Sequence, residues 1–397
     1  MLRLTIQLCL LSLLLCSCKT DSAPAAAPEE TVAEAKEFKA NPVLVEEQEV
    51  TTLAIGAAAP DFKLVRTDGM YRTLADYADA EVLVVVFTCN HCPTAQAYEQ
   101  RLIDFTADYK EKGVGVVAIS PNSPLGVMYN ELGYSDLDDR YEDMVIRARD
   151  ADFNFDYLYD GDNQAASLKY GPAATPHTFV FDADRKLRYV GRLDKHEKPG
   201  TLNADDLRLA VDELLAGREV STPETKTFGC STKWAWKADY KVKDEAQWKA
   251  LPVTMEDIDV AGVADLLKND SDNLRLINFW ATWCGPCVAE YPDFVVLQRM
   301  YSGRNFEFVS ISLDKPGKAP AALKFLQKSH SALSNYVFTG EDIYELIEVI
   351  DPDWNGAIPF TIMVAPGGDV VYKQQAEVDF LELRRVIVEH PLIGRYF

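Results

Sequence analysis

The chain has 397 residues, of which 48% are hydrophobic and 26% charged, a composition typical of folded globular domains. Its 62 acidic residues outnumber its 40 basic residues. The resulting net charge of −22 argues against a nucleic-acid partner, because phosphate recognition needs clustered lysine and arginine. The roughly 350 residues that follow the N-terminal segments are enough for two domains of ordinary size.

Residues 1–17 have the pattern of a secretory signal peptide, in which a short n-region with Arg3 precedes the apolar run 4–15. This run is too short to span a bilayer comfortably. It ends in Leu-Cys-Ser-Cys at 15–18, which resembles the lipobox of bacterial lipoproteins. The resemblance implies that Cys18 is the lipid-modified N-terminus of the mature chain. An ordinary cleaved signal peptide is the alternative, and both predict export from the cytoplasm.

Residues 18–49 are dominated by alanine, proline, valine and glutamate, with almost no aromatic side chains. Such a segment cannot bury enough apolar surface to order itself. We therefore expect a disordered tether between the membrane anchor and the first folded domain.

Five cysteines remain beyond the signal and the anchor: Cys89, Cys92, Cys230, Cys284 and Cys287. Four of them form two Cys-x-x-Cys pairs, Cys89/Cys92 and Cys284/Cys287. Dispersed cysteines would suggest a disulfide-stapled scaffold, whereas close pairs indicate redox catalysis or metal binding. In zinc sites two such pairs normally lie about 15–20 residues apart in the sequence, whereas the two pairs of this chain are separated by roughly 190 residues. The prediction is thus thiol chemistry, with no metal and no other cofactor.

The first predicted domain spans residues 50–217. A candidate hairpin around 56–69 precedes a buried-strand run at 82–87, the motif Cys-Asn-His-Cys-Pro at 89–93, and a helical stretch. A second strand and a Pro-then-strand pattern follow. The segment resembles the peroxiredoxin-like (redoxin) thioredoxin proteins that carry Cys-x-x-Cys, which implies a thioredoxin fold. In that group the second cysteine, Cys92, occupies the peroxidatic position.

His91 beside Cys92 predicts that an imidazolium stabilises a thiolate at Cys89. That would favour the reduced form and make this pair the more oxidising one, so that electrons run to it from the second pair. A solvent-facing His91 is the alternative. Peroxidase activity is the runner-up function, because a peroxiredoxin has threonine or serine where this chain has Cys89. Six residues after Cys89 comes Ala95, so this pair has no nearby acid in the helix.

Residues 218–252 are predicted to connect the domains, and their tryptophans indicate that part of the stretch packs on a domain face. Cys230 lies in this connector as the odd cysteine. It is either a small buried apolar group or a third redox thiol.

The second predicted domain spans residues 253–397. An apolar strand at 274–280 leads into Trp-Cys-Gly-Pro-Cys at 283–287 and then a helix, so the motif sits at a helix N-terminus. The positive end of the helix favours a thiolate at Cys284, and Cys287, nearly one turn further on, is placed to resolve a mixed disulfide. Motif and element order resemble thioredoxin.

In thioredoxin a buried aspartate lies six residues before the first active cysteine, where this chain has Asn278. Glu290 instead follows Cys284 by six residues. This is similar to membrane-anchored thioredoxin-like reductases of cytochrome c maturation, and the resemblance implies that Glu290 accepts a proton from Cys287. A solvated Glu290 is the alternative.

The thioredoxin resemblance also implies a substrate-binding loop at a cis-proline opposite the cysteines. In this chain the corresponding pairs are Ile358-Pro359 in the second domain and Thr175-Pro176 in the first.

These inferences predict an α/β protein with two thioredoxin-fold domains in tandem, each a central mixed β-sheet flanked by helices. It would exchange disulfides with protein substrates outside the cytoplasm, as a reductase held to the cell envelope through Cys18. The resemblance implies apocytochrome c among the clients, whereas the sequence does not name the electron donor. A thiol peroxidase in the first domain, or a lipid-anchored binding protein with a structural disulfide there, are the alternatives.

Overall fold

The computed structural model describes residues 38–198, 200–201 and 203–395. The signal peptide, Cys18 and the first part of the tether lie outside the described residues. Within them, the prediction of two tandem thioredoxin-fold domains is confirmed, because each half has a mixed sheet with helices packed on it. None of the described helices has the length and apolar character needed to cross a bilayer.

The first domain is built on a seven-stranded sheet in the order β2-β1-β5-β4-β3-β7-β8. The strands of this sheet are β1 (Lys63–Arg66), β2 (Tyr71–Thr73), β3 (Val82–Phe87), β4 (Val114–Ser120), β5 (Asp156–Tyr159), β7 (His177–Phe181) and β8 (Leu187–Gly191), and the short strand β6 (Ala174–Thr175) lies outside it. Its helices are α1 (Pro93–Tyr109), α2 (Tyr141–Asp150), α3 (Ser167–Tyr170) and α4 (Asp205–Leu215). β3 runs parallel to β4 and antiparallel to β7. All six residues of β3 are buried, as expected for a strand covered on both faces.

Between the domains, β9 (Cys230–Ser231) pairs with β6, and α5 (Ala238–Lys249) leads into the second domain. The predicted packing of this connector is observed. Trp234 is buried and stacks on Trp236 with 5.0 Å between ring centroids, and Trp248 Nε1 donates to the carbonyl of His330 at 2.9 Å. The connector thus joins both domains through defined contacts rather than as a loose linker.

The second domain is built on a six-stranded sheet in the order β10-β13-β12-β11-β14-β15. Its strands are β10 (Glu256–Ile258), β11 (Leu274–Trp280), β12 (Phe306–Ser312), β13 (Ser334–Phe338), β14 (Phe360–Val364) and β15 (Val370–Gln375). Its helices are α6 (Val260–Lys268), α7 (Gly285–Met300), α8 (Ala319–Lys328), α9 (Ile343–Ile350) and α10 (Phe380–Glu389). As in the first domain, the central strand β11 has a parallel neighbour, β12, and an antiparallel one, β14.

The predicted disorder of residues 18–49 is wrong for the part that the structure describes. The Phe38 ring packs edge-on against Tyr141 with 4.6 Å between centroids. The backbone amides of Asn41 and Val43 donate to Asp162, at 2.8 Å each. One aromatic side chain and two backbone hydrogen bonds thus hold this end of the segment on the first domain.

The loop that follows β4, residues 121–140, belongs to the first domain and contacts the second. Val127 and Leu132 share a hydrophobic cluster with residues of α7. From the C-terminal end of the second domain, Arg385 and Arg395 reach Asp136 in this loop, at 3.2 Å and 2.8 Å. The contact matters for the first active-site motif, because the same loop carries the residues that hold it.

Candidate active sites

The second-domain motif lies where β11 gives way to α7. Cys284 is the N-cap residue of α7, and the amide of Cys287 donates to Cys284 Sγ at 3.3 Å. The two cysteines are joined in a disulfide and are 6% and 1% exposed. In the reduced state the helix N-terminus would stabilise a thiolate at Cys284, as predicted from the sequence.

The Ile358-Pro359 peptide is cis and faces this disulfide. Cys284 Sγ lies 3.7 Å from the carbonyl oxygen of Ile358, and the Ile358 side chain is half-buried. Trp283, immediately before the attacking cysteine, is 70% exposed. The motif therefore borders an open, partly apolar surface that another chain can reach.

Glu290 projects from α7 one turn beyond Cys287. It is 7% exposed, which excludes the solvated alternative, and its Oε2 accepts from the amide of Val378 at 3.0 Å. Burial raises the pKa of this carboxyl group to about 7. The hydrogen bond from Val378 lowers the pKa, whereas the nearby negative charge of Glu377 raises it further. A carboxyl group with this pKa exchanges protons near neutral pH.

Asn278 stands where the carboxylate of a thioredoxin would be, and it contributes a neutral partner instead. Its amide donates to Thr361 Oγ1 at 3.0 Å, while its Oδ1 is buried without a partner. The Oε1 atom of Glu290 is likewise buried without a partner. The interaction with Asn278 lowers the pKa of Glu290, against the larger effect of burial.

The strand register shows how the two motifs correspond. Phe87 pairs with the residue that follows Pro176, and Phe279 pairs with the residue that follows Pro359. Counting onward from these two phenylalanines, Cys92 is equivalent to Cys284.

The helix confirms this correspondence, because Cys92 is the N-cap residue of α1 as Cys284 is of α7. The first-domain partner, Cys89, then matches Ala281, on the loop side of the cap. The comparison of Ala95 with Glu290 made from the sequence is therefore wrong, and the equivalent of Glu290 is Tyr98, a buried phenol.

The thiolate of the first domain belongs to Cys92. Burial opposes its ionisation, but hydrogen bonds from Cys230 and Cys89 and the charge of His91 outweigh it and hold the pKa of Cys92 well below its ordinary value. Burial, the hydrogen bond with Cys92 and the charge of Asp139 raise the pKa of Cys89. The predicted thiolate at Cys89 is therefore corrected, since the helix begins three residues later than that prediction required.

His91 is 1% exposed, which excludes the solvent-facing alternative. Its Nδ1 lies 2.6 Å from Asp139 Oδ2, and this carboxylate outweighs burial and raises the pKa of His91. Asp139 also accepts from the backbone amides of Asn90 and His91, at 2.8 Å and 3.1 Å. One buried carboxylate thus fixes the motif backbone and favours the imidazolium form of His91 beside the sulfurs.

Cys89, His91 and Asp139 present ligand atoms within 4.8 Å of one another, a grouping that could in principle hold a metal. Asp139 accepts a fourth hydrogen bond, from Asn122 Nδ2 at 2.7 Å. Four donors match the roughly four lone-pair sites of a carboxylate. Asp139 is therefore already occupied in orienting His91, as a carboxylate behind an imidazole usually is.

The Thr175-Pro176 peptide is also cis, and Cys92 Sγ lies 3.2 Å from the Thr175 carbonyl oxygen. Both residues are buried, and β6 already pairs with β9. An outside chain cannot reach them in this arrangement, so the substrate-binding role expected of Thr175 and Pro176 does not fit the structure. Sequence reasoning left Cys230 open between a small buried apolar group and a third redox thiol, and its only signal was that it is the odd cysteine.

Family comparisons agree with these two domains. Residues 55–190 match the AhpC/TSA family, and residues 264–386 match the Redoxin family. The chain is a tandem thioredoxin-family protein.

Relatives of this tandem thioredoxin-family protein include the thiol-disulfide oxidoreductase ResA of Oceanobacillus iheyensis, 29% identical over 140 residues, which are 33% of this chain and 63% of that protein. ResA of Bacillus subtilis is 25% identical over 24% of this chain and 49% of its own length. The chain thus spans about half to two thirds of these relatives. Their names agree with the predicted enzyme class, a thioredoxin-like thiol–disulfide oxidoreductase.

Among solved structures, a hypothetical protein of Sinorhizobium meliloti 1021 is 33% identical, over 46% of this chain and 96% of that one, with a TM-score of 0.42. An uncharacterized conserved protein of Geobacillus kaustophilus is 34% identical, over 46% and 92%, with a TM-score of 0.41.

Replacing His91 by glutamine should raise the pKa of Cys92, because the imidazolium is one of the charges that stabilise its thiolate. A nearby opposite charge shifts a pKa by about 1–3 units. The thiolate absorbance of the first domain, titrated in a chain carrying Cys284→Ser and Cys287→Ser, should therefore move to higher pH. His196→Gln, at an exposed histidine, is the matched control. An unchanged midpoint in His91→Gln would mean that His91 is neutral or electrostatically remote.

Proposed function

We propose that the protein is a thiol–disulfide oxidoreductase whose second domain reduces disulfides in protein substrates. The observation that carries this proposal is the placement of Cys284, which caps α7 beside the half-buried Ile358 and the exposed Trp283. A sulfur activated by a helix terminus and bordered by accessible apolar surface suits attack on the disulfide of another chain.

The reaction begins from the reduced pair. The Cys284 thiolate attacks one sulfur of the substrate disulfide, which forms a mixed disulfide and releases the other substrate sulfur with the electron pair of the broken bond. Cys287 then loses its proton and attacks Cys284 Sγ, which closes the Cys284–Cys287 disulfide and releases the second substrate sulfur. Two electrons pass to the substrate.

Glu290 is proposed as the acceptor of the Cys287 proton. Cys287 is 1% exposed, so water has little access to its thiol, whereas Glu290 lies one turn away on the same helix with an unpartnered oxygen. With a pKa of about 7, its carboxylate form becomes available as the pH rises through neutrality.

We further propose that this chemistry takes place outside the cytoplasm, with the chain held to a membrane through a lipid on Cys18. The sequence at residues 1–18 supports this location. Exported apocytochrome c is a candidate client, because its reduced cysteines are the product that such a reductase would supply.

A thiol peroxidase activity of the first domain is the second candidate, and the stabilised thiolate at Cys92 favours it. Attack of Cys92 on a peroxide would give a sulfenic acid at Cys92. Condensation of this sulfenic acid with the Cys89 thiol would form a Cys89–Cys92 disulfide and water. Peroxide consumption that disappears in Cys92→Ser, and persists in Cys284→Ser, separates this activity from disulfide reduction.

The Cys287→Ser chain should accumulate mixed disulfides with its clients at Cys284, because serine cannot resolve them. Capture from an extracytoplasmic fraction, followed by peptide mapping, identifies both the clients and the attachment sulfur. Cys284→Ser with Cys287→Ser is the matched control and should capture nothing through this domain. Adducts attached only to first-domain cysteines would contradict the proposal.

Glu290→Gln should slow the reduction of a protein disulfide by about 10²-fold above neutral pH, the lower end of what a positioned proton acceptor contributes. The unmutated rate should rise as the pH passes through 7, where Glu290 ionises, and the variant should lack that rise. Glu377→Gln, one residue before the amide that binds Glu290, controls for the loss of a neighbouring charge. Superimposable profiles for Glu290→Gln and the unmutated chain would remove Glu290 from the mechanism.

A further inference from the structure

Cys230 is held directly against the first active site. It lies on β9, which pairs antiparallel with β6 so that Cys230 is opposite Thr175. Its backbone amide donates to Cys92 Sγ at 3.4 Å, and its side chain packs against the cluster formed by Cys89, Cys92 and Ala95. Cys92 therefore has two neighbouring thiols, Cys89 on the loop side and Cys230 on the side of β9.

The backbone before Cys230 is adapted to this approach. Gly229 has φ +133°, and a Cβ atom added there would lie 2.1 Å from the carbonyl oxygen of Thr175. Only glycine fits such a close contact in this conformation. The pairing of β9 with β6 thus depends on a residue without a side chain at the position next to the cysteine.

The position of β9 can be compared with the equivalent position in the second domain. Among the described strands, none pairs with the segment just before Pro359, and the Cys284 sulfur faces a half-exposed Ile358. In the first domain the equivalent edge is covered by β9 of the same chain. Cys230 therefore stands beside Cys92 where the second domain leaves its attacking sulfur open to a partner.

Accessibility separates the three thiols. Cys89 and Cys92 are 2% and 0% exposed, whereas Cys230 is only partly buried. A thiol from outside thus meets Cys230 before it meets either member of the Cys-x-x-Cys pair.

We propose that Cys230 is a third redox thiol of the first domain, which forms a disulfide with Cys92 and presents the sulfur that outside dithiols attack. The proposal extends the thiol–disulfide exchange proposed above to the first domain, but it does not require the second domain to be a reductase.

The exchange balances without a further reactant. When Cys89 and Cys92 are joined, the sulfur of Cys230 attacks Cys92 Sγ, the Cys92–Cys230 bond forms, and the Cys89–Cys92 bond breaks with its electron pair on Cys89. Cys89 takes the proton that Cys230 gives up, so no net oxidation occurs.

Reduction then starts at the surface. A thiolate of an outside dithiol attacks Cys230 Sγ, and the electron pair of the broken bond stays on Cys92 as the stabilised thiolate. A leaving thiol of low pKa leaves faster, which favours this step. The second thiol of the dithiol closes its own disulfide and frees Cys230, so that two electrons enter the first domain.

The test uses the full chain with Cys89→Ser, reduced and then exposed to glutathione disulfide, with peptides mapped without reduction. We expect a disulfide between Cys92 and Cys230. The control also carries Cys230→Ser and Ser231→Cys. The exposed side chain at 231 points to the opposite face of the strand, so this control should form no disulfide between Cys92 and position 231. Glutathione on Cys92 beside a free Cys230 thiol in Cys89→Ser would overturn the proposal.

A second measurement needs no change at Cys89. Dithiothreitol should reduce the oxidised first domain about tenfold more slowly in Cys230→Ser than in the unmutated chain, because the accessible sulfur is gone. Equal rates would show that Cys230 is not the point of entry. Both readouts follow first-domain sulfurs alone, so failure of Cys284 and Cys287 to reduce clients would refute the proposed function without changing either result.

Discussion

Both active sites depend on one arrangement, in which the sulfur of a cysteine at the N-cap position of a helix faces the carbonyl group that precedes a cis-proline. The arrangement needs a central strand of fixed register, because Phe87 and Phe279 pair with the residues that follow Pro176 and Pro359. A shift of one residue in either pairing would turn the loop and its cysteine away. The helix terminus then supplies the positive potential that makes the sulfur a thiolate.

The two domains surround this common sulfur differently. In the second, the partner Cys287 lies inside the helix and Glu290, the proposed proton acceptor, lies one turn beyond it. In the first, Cys89 lies before the helix, Asp139 raises the pKa of His91, and the phenol of Tyr98 replaces the carboxyl group. We propose that the first arrangement stabilises a thiolate at rest, whereas the second moves a proton during turnover. This contrast agrees with a more oxidising first pair, although the direction of electron flow stays a prediction.

The same kind of anchor holds both loops in place. Asp314, after β12, accepts from the amide and hydroxyl of Thr282 at 2.8 Å and 2.6 Å. Asp139, in the loop after β4, accepts from the amide of Asn90 and from His91. The loop that carries Asp139 is also in contact with the second domain, because Arg395 forms an ion pair with Asp136 of this loop. Arg395 also donates to the side chain of Gln96, and the Gln96 amide donates to the Asn90 carbonyl at 2.9 Å.

Local patterns were sufficient to predict much of the fold. The apolar runs of β3 and β11 were predicted with their observed bounds, and Glu290 was placed on the active-site helix. Helix α2 was not predicted, because it lacks a strong apolar stripe. The other features that the sequence did not reveal are contacts between residues far apart in the chain. The pairing of Cys230 with Thr175 spans 55 residues, and the contact of Asp139 with His91 spans 48. The thiolate was assigned to Cys89 because the sequence does not show that α1 begins only after Cys92.

The position of the thiolate in the first domain is the central claim, and competitive alkylation tests it most directly. The fully reduced chain would be treated with limiting iodoacetamide at about pH 6, well below the ordinary cysteine pKa of about 8.5, and the modified peptides quantified over time. Our account predicts that Cys92 is modified before Cys89, as Cys284 is before Cys287. Modification of Cys89 ahead of Cys92 would contradict it, because the attacking sulfur would then lie outside the helix cap.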